Sequence, residues 1–100
     1  MSETTDLQND ILTYWEYLGI FGWHNNTGAY FRNNRMIKYG YEGSPDLIGI
    51  MQNGRFIGCE TKIGKDKLRE KQIIFHRQAC RNNALIFTAR TMKEVEARMI

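Results

Sequence analysis

Asp46, Glu60 and Lys62 lie in two short apolar runs, Ser44-Pro45-Asp46-Leu47-Ile48-Gly49-Ile50 and Ile57-Gly58-Cys59-Glu60-Thr61-Lys62. Each run reads as a core strand, yet each carries charge at one end. Two carboxylates with a lysine two residues past the second are what metal-assisted phosphodiester cleavage requires. Carboxylate oxygens suit a hard divalent cation. A cation so held polarises a phosphate and lowers the pKa of water, and the lysine can orient that water or offset charge developing on the phosphate oxygens. A bare Asp…Glu-x-Lys pattern arises by chance in many chains, so its weight depends on the elements that would bring the acids together.

The spacing predicts an amphipathic helix over residues 5–19, where Leu7, Ile11, Tyr14, Trp15 and Leu18 form one stripe and Gly19 suits the end. Glu16 falls opposite that stripe, and Glu3, Asp6 and Asp10 flank or border it. Residues 21–25 fit a short strand, and Asn25-Asn26-Thr27-Gly28 is turn chemistry. Residues 29–39 are ambiguous: Tyr30, Phe31, Met36, Ile37 and Tyr39 fit either a strand or an ordered loop. Residues 41–45 read as a loop. Residues 47–51 and 56–63 then form a hairpin around Asn53-Gly54.

The register of that hairpin decides whether the acids can meet. A two-residue loop pairs Asp46 with Thr61 and puts Asp46 and Glu60 on opposite faces of the sheet. A three-residue loop, Gln52-Asn53-Gly54 with Gly54 left-handed, sets Asp46 opposite Glu60. The chemistry requires that loop, or an equivalent bulge near Asp46. Glu60 and Lys62, two apart on one strand, share a face in either case.

A second helix is expected over residues 66–82, with Leu68, Gln72, Phe75 and Ala79 on one stripe. Gln72 is an amide on the face that should pack on the sheet, where an unpaired polar group costs about 1–3 kcal/mol. It is either a satisfied boundary glutamine or a group that faces Asp46 and Glu60 and positions water or phosphate. Residues 84–89 form a last core strand, and Thr91-Met92-Lys93-Glu94 is a capping box opening a terminal helix. The strand-helix-strand step should be a right-handed parallel crossover. The expected architecture is α/β, a mixed β-sheet flanked by helices.

One hundred residues bound the chain to a single small domain, 1–100. With 42% hydrophobic and 25% charged residues the composition is that of an ordinary folded protein. No apolar run approaches the roughly 18 residues of a membrane span, and the acidic N-terminus lacks the basic start of a signal peptide. An intracellular chain is expected, with Cys59 and Cys80 as buried, reduced thiols. His24 and His76 are too isolated to suggest a zinc site. The net charge of +3 is unevenly spread. Residues 1–31 contain no Lys or Arg, whereas half of the 14 basic residues are Lys62, Lys65, Lys67, Arg69, Lys71, Arg77 and Arg81. Such a stripe is either a solvated helix face or a footprint for a polyanion; beside a candidate metal site, nucleic acid is the better reading.

At Pro45-Asp46, Glu60-Thr61-Lys62 and Gln72 the chain resembles the PD-(D/E)xK nucleases, and specifically the stand-alone virus-type replication-repair nuclease (VRR-NUC) domain of bacteriophages. The likeness runs from about Leu7 to Thr91 and includes Trp23-His24-Asn25-Asn26-Thr27-Gly28-Ala29, Gly43-Ser44-Pro45-Asp46-Leu47-Ile48-Gly49-Ile50, Gly54-Arg55-Phe56-Ile57-Gly58-Cys59-Glu60-Thr61-Lys62 and Glu70-Lys71-Gln72. The resemblance implies a restriction-endonuclease-like fold and Mg2+ or Mn2+ as cofactor. It implies Asp46 and Glu60 as metal ligands, Lys62 as the catalytic lysine and Gln72 as an accessory site residue. It also implies a homodimer that cuts branched DNA, similar to Holliday-junction resolvases, in the cytoplasm of the phage's host. The family often has a glutamate in the first turn of the N-terminal helix; the aligned position here is Thr4, and Glu3, Asp6 or Asp10 would have to substitute.

The function these readings favour is a metal-dependent DNA endonuclease, with a non-cleaving DNA-binding module of the same fold as the alternative. In an α/β protein of neither kind, Glu60 and Lys62 would be only an exposed ion pair. Symmetric cuts in two strands need two sites, which a two-fold dimer supplies. The rings Tyr30, Phe31, Tyr39 and Tyr41 are either part of its surface or ordinary core. Arg32, Arg35 and Lys38, with Lys65, Lys67, Arg69 and Lys71, are the candidate DNA contacts. No base-reading motif is visible, so recognition through shape and backbone is expected.

Overall fold

The structure, a computed structural model, describes residues 2–99. In chain order the elements are α1 (Glu3–Tyr17), β1 (Phe21–His24), β2 (Gly28–Arg32), β3 (Arg35–Tyr39), β4 (Leu47–Ile50), β5 (Phe56–Thr61), α2 (Glu70–Arg81), β6 (Leu85–Ala89) and α3 (Met92–Arg98). Ser2 caps α1, its hydroxyl accepting from the Thr5 N–H at 3.1 Å, which satisfies one of the orphan donors of a helix start. Past the C-cap Leu18, Gly19 takes φ +80°, a conformation that favours glycine. Ile11 and Trp15 are fully buried, and Leu7, Leu12 and Tyr14 pack against the same core. Leu18, expected in the apolar stripe, is 36% exposed instead, because the helix stops one residue before it.

The main sheet has the order β1-β4-β5-β6. β1 pairs antiparallel with β4, β4 antiparallel with β5, and β5 parallel with β6, the mixed sheet expected from the strand-helix-strand step. Helix α1 lies on one face. Its Trp15 covers Gly22 so closely that a Cβ there would sit 2.6 Å from the ring. Val95 of α3 joins the same core with Leu47, Ile57, Cys59 and Phe87. Burying side chains of this size contributes about 1.5–3 kcal/mol each, and truncating a tryptophan such as Trp15 would cost about 3–5 kcal/mol. Helix α2 packs on β6 on the other face. There Pro45 is fully buried over Gly58, where a Cβ would meet Pro45 Cγ at 2.8 Å.

The β4–β5 register is the one the chemistry demands. Ile50 is opposite Phe56 and Leu47 opposite Cys59. The loop spans residues 52–54: the Met51 N–H donates to Arg55 O and the Gly54 N–H to Met51 O, both at 2.8 Å, with Gly54 at φ +86°. One step beyond Leu47 and Cys59, this ladder sets Asp46 against Glu60.

Several expectations need correction. Helix α2 begins at Glu70, four residues after the expected start. Arg69 at its N-cap is extended, and Gly64 at φ +60° has already turned the chain. Arg90 holds that loop by donating from Nε to Gly64 O at 3.0 Å and from its guanidinium to Asp66 O. Leu68 therefore precedes the helix and is no part of its stripe. Cys59 is buried as expected, but Cys80 is exposed; both are free thiols. Residues 29–39 are neither a single strand nor a loop: β2 and β3 form a separate two-stranded sheet, every residue of which is exposed. Its rings are not core.

Candidate active site

Asp46 precedes β4, and three contacts fix it. Its backbone carbonyl accepts from the Asn25 N–H at 2.8 Å. Its Oδ2 accepts from the Thr61 N–H at 2.9 Å and from Thr61 Oγ1 at 2.7 Å. The loop in front of it is clamped by the Asn25 amide, which donates to Ser44 Oγ at 2.6 Å and to Pro45 O at 2.9 Å. Thr61 is in turn held from α1, since Gln8 Nε2 donates to its Oγ1 at 2.9 Å. Glu60 points to the α2 face and Thr61 to the α1 face, as alternation along a strand dictates. The first helix thus reaches the site through Gln8. No group of three or more acidic, histidine or cysteine side chains able to hold a metal occurs among the described residues.

Glu60 is 2% exposed, and its Oε2 is buried without a hydrogen-bond partner. Burial first, then the Asp46 carboxylate within hydrogen-bonding reach, push its carboxyl up to about 8, while the charges of Lys62 and Arg69 pull the other way. Two carboxylates this close cannot both ionise cheaply unless a positive charge lies between them. An all-oxygen donor set with one unsatisfied buried oxygen fits a hard divalent cation. Mg2+ suits it, because that ion keeps several waters and needs only one or two carboxylates from the protein. Asp46 and Glu60 are the residues that would hold it.

Lys62 follows β5 on the Glu60 face and is half-buried, its N–H donating to Ala89 O at 3.1 Å. Its charge also reaches His76. Burial first, then Lys62, lower the His76 pKa, and its Nε2 is buried without a partner. Gln72, four residues before His76 and so on the same helix face, is buried. Its Oε1 accepts from the Arg69 N–H at 2.8 Å, capping the start of α2. Only this half of a capping box is chemically available, since an arginine side chain has no acceptor to offer in return. Gly43, at φ +90°, packs so tightly on the Lys71 carbonyl that a Cβ would collide with it. That contact ties the Asp46 loop to the first turn of α2, and with it to Gln72.

Gln72 also lines a groove of about 320 Å³ with Thr27, Lys38, Tyr39, Arg69 and Lys71. A second, more polar pocket is formed by Gln8, His24, Asn25, Asn26, Tyr39 and Asp46. Of the candidate DNA contacts, Lys38, Arg69 and Lys71 therefore converge on one groove beside the site. Lys65 and Lys67 are exposed on the loop between β5 and α2, and Arg32 and Arg35 stand at the far end of the β2–β3 hairpin. Lys38 approaches Glu42 at 3.8 Å with both side chains exposed, a pairing worth little.

Gln8, Thr61, Asn25 and His76 were not among the residues singled out by chemistry. His76 had a signal, its four-residue spacing from Gln72. Asn25 and Ser44 lay in strings that carried the resemblance. Nothing local could have matched Gln8 to Thr61, 53 residues away.

A solved structure described as "VRR_NUC domain" shares this architecture. The superposition covers 99% of this chain and 96% of that one, with a TM-score of 0.72 and 20% sequence identity. The fold is therefore that of a VRR_NUC domain, as the sequence resemblance implied. By sequence, no family model and no curated protein matches the chain.

Proposed function

We propose that the protein is a metal-dependent DNA endonuclease that uses Mg2+ or Mn2+ and acts on branched DNA as a homodimer. The observation that carries the reading is the Asp46 and Glu60 pair. A buried, partnerless carboxylate oxygen beside a second carboxylate is costly in a structural role, and it is suited to a cation. When bound, that cation would supply Lewis-acid polarisation of the scissile phosphate and a more acidic water.

The remaining work falls to the chain's own groups. Asp46 keeps one oxygen committed to Thr61 and leaves the other for the cation. Lys62, on the Glu60 face, orients the attacking water or offsets negative charge building on the phosphate oxygens. Gln72 has its carbonyl oxygen in use as a cap, which leaves its amide N–H groups as the donors it can offer a phosphate oxygen. Lys38, Arg69 and Lys71 hold the backbone of the strand being cut. Water adds to phosphorus and gives up one proton to solvent, the P–O bond to the leaving group breaks, and the departing oxygen takes a proton from solvent.

The test incubates the purified protein with a labelled four-way junction, a flap and a plain duplex in Mg2+, Mn2+ or EDTA, with Lys62→Ala in parallel. Cutting of the branched substrates by wild type with either metal, and none in EDTA or by the variant, is expected. Cleavage that survives EDTA or the loss of Lys62 would overturn the mechanism.

A further inference from the structure

We infer that the β2–β3 hairpin is a nucleic-acid-reading arm whose tyrosine face stacks on unpaired bases while the arginines at its tip hold phosphate. The inference rests on the DNA reading above and goes beyond it by naming the element that would prefer branched over intact duplex.

The hairpin specifies itself. Asn33 and Asn34 take φ 54° and 61°, the left-handed pair a type I′ turn needs and asparagine tolerates. The register sets Tyr30 opposite Ile37, Phe31 opposite Met36, Arg32 opposite Arg35 and Gly28 opposite Tyr39. One face therefore carries Tyr39, Tyr30 and Ile37 and ends in Arg32 and Arg35. Phe31 and Met36 point the other way. The Tyr30 and Tyr39 rings lie 6.2 Å apart, forming a short ladder.

Three features point to one occupant for the tyrosine face. Two arginines directly opposite each other repel, a cost that an anion at the tip removes. The same face runs into the candidate active site, because Tyr39 at its base borders the pocket containing Asp46. An exposed ring gains little from a phosphate backbone but stacks on a base, and only unpaired or branch-point bases offer that surface. A second copy of this chain would bring two more arginines to the same tip. Five residues per strand give the arm a reach of ~17 Å, enough to lie along DNA held in the groove.

The experiment uses the full chain in EDTA, so that nothing is cut. Anisotropy measures affinity for a flap and for a duplex of equal length, and 2-aminopurine at the branch reports stacking. Tyr30→Ala should lose roughly 5-fold or more in flap affinity, the scale of one stacked base. It should also lose the 2-aminopurine quench and leave duplex affinity within about 2-fold. Tyr30→Phe, which keeps the ring, should restore both. Arg32→Ala with Arg35→Ala should weaken flap and duplex alike and flatten the salt dependence by about 2 in log–log slope.

Circular dichroism confirms that each variant is folded. Unchanged flap preference in folded Tyr30→Ala, or an equal loss in Phe31→Ala on the opposite face, overturns the assignment. A drop in mass by light scattering in Tyr30→Ala would reassign the face to a contact between copies. Wild type that binds neither probe would sink the DNA reading itself, whereas equal binding of both probes would sink only the arm's role.

Discussion

A carboxylate at 2% exposure with a second carboxylate against it sits where a folded protein would ordinarily place an apolar side chain or a neutral amide. Glu60 therefore couples stability to pH with a definite sign. Its folded pKa is raised to about 8, above the ordinary carboxylate value. The folded state thus binds more protons than the unfolded state between those limits, and its stability must fall as pH rises through that window. In EDTA, the melting temperature of wild type is expected to decline from about pH 5 to about pH 9. Glu60→Gln, which mimics the protonated acid, should flatten that decline and exceed wild type at the alkaline end. Manganese should reverse the order, raising wild type by mass action and leaving the variant unmoved. A pH-independent wild-type melt in EDTA, together with no manganese shift, would show that the pair is not the strained site described above.

At the scale of elements, what was legible followed from period and from turn chemistry. Asp46, Glu60 and Lys62 stood out because charge interrupted two apolar runs. The three-residue turn at Gly54 was legible because that loop, unlike a two-residue one, sets the acids facing each other. The hairpin of β2 and β3 was not legible, since it is apolar on both faces and shows no inside-outside alternation to read; its local signal is the Asn33-Asn34 pair at the turn. The late start of α2 was hidden because its cause is distant, Arg90 pinning the loop after β5. So was the strut from α1, in which Gln8 holds Thr61 and Thr61 holds Asp46. This strut makes its own prediction. Partners of a metal-ligating carboxylate commonly change metal affinity by 10-fold or more. Thr61→Val, which keeps the shape and the backbone donor, should weaken manganese binding about 10-fold by calorimetry. Gln8→Ala, one step further out, should weaken it less, and its stability cost should stay near the ~1 kcal/mol of one hydrogen bond. Equal manganese affinity in Thr61→Val and wild type would reduce the strut to packing.

For the whole molecule the question is what covers its exposed apolar surface. The radius of gyration, 14.1 Å, exceeds the ~13 Å of a compact 100-residue chain, as a projecting arm requires. Besides the arm, the sheet leaves a row open on its α2 face. Phe21, Ile50 and Phe56 are in register across β1, β4 and β5 at 70%, 45% and 36% exposure, with Trp23 5.1 Å from Phe21. This row contains no charge, and β1 beside it is an edge strand with unpaired backbone groups, which invites pairing with another chain. An uncharged, self-complementary patch suits a two-fold contact, whereas the arginine-tipped tyrosine face of the arm suits a polyanion. The homodimer proposed above is therefore expected to use the sheet row, with the tyrosine face left to DNA. Light scattering across a concentration series should give twice the 11.8 kDa chain mass for wild type and a single chain mass for Ile50→Lys. Because Ile50 is exposed, that variant should melt close to wild type and still bind manganese at Asp46 and Glu60. Paired cuts in a symmetric junction should become single nicks. A wild type that stays monomeric at every concentration, or an Ile50→Lys variant that stays dimeric, would remove the sheet row from the interface and return the arm to contention.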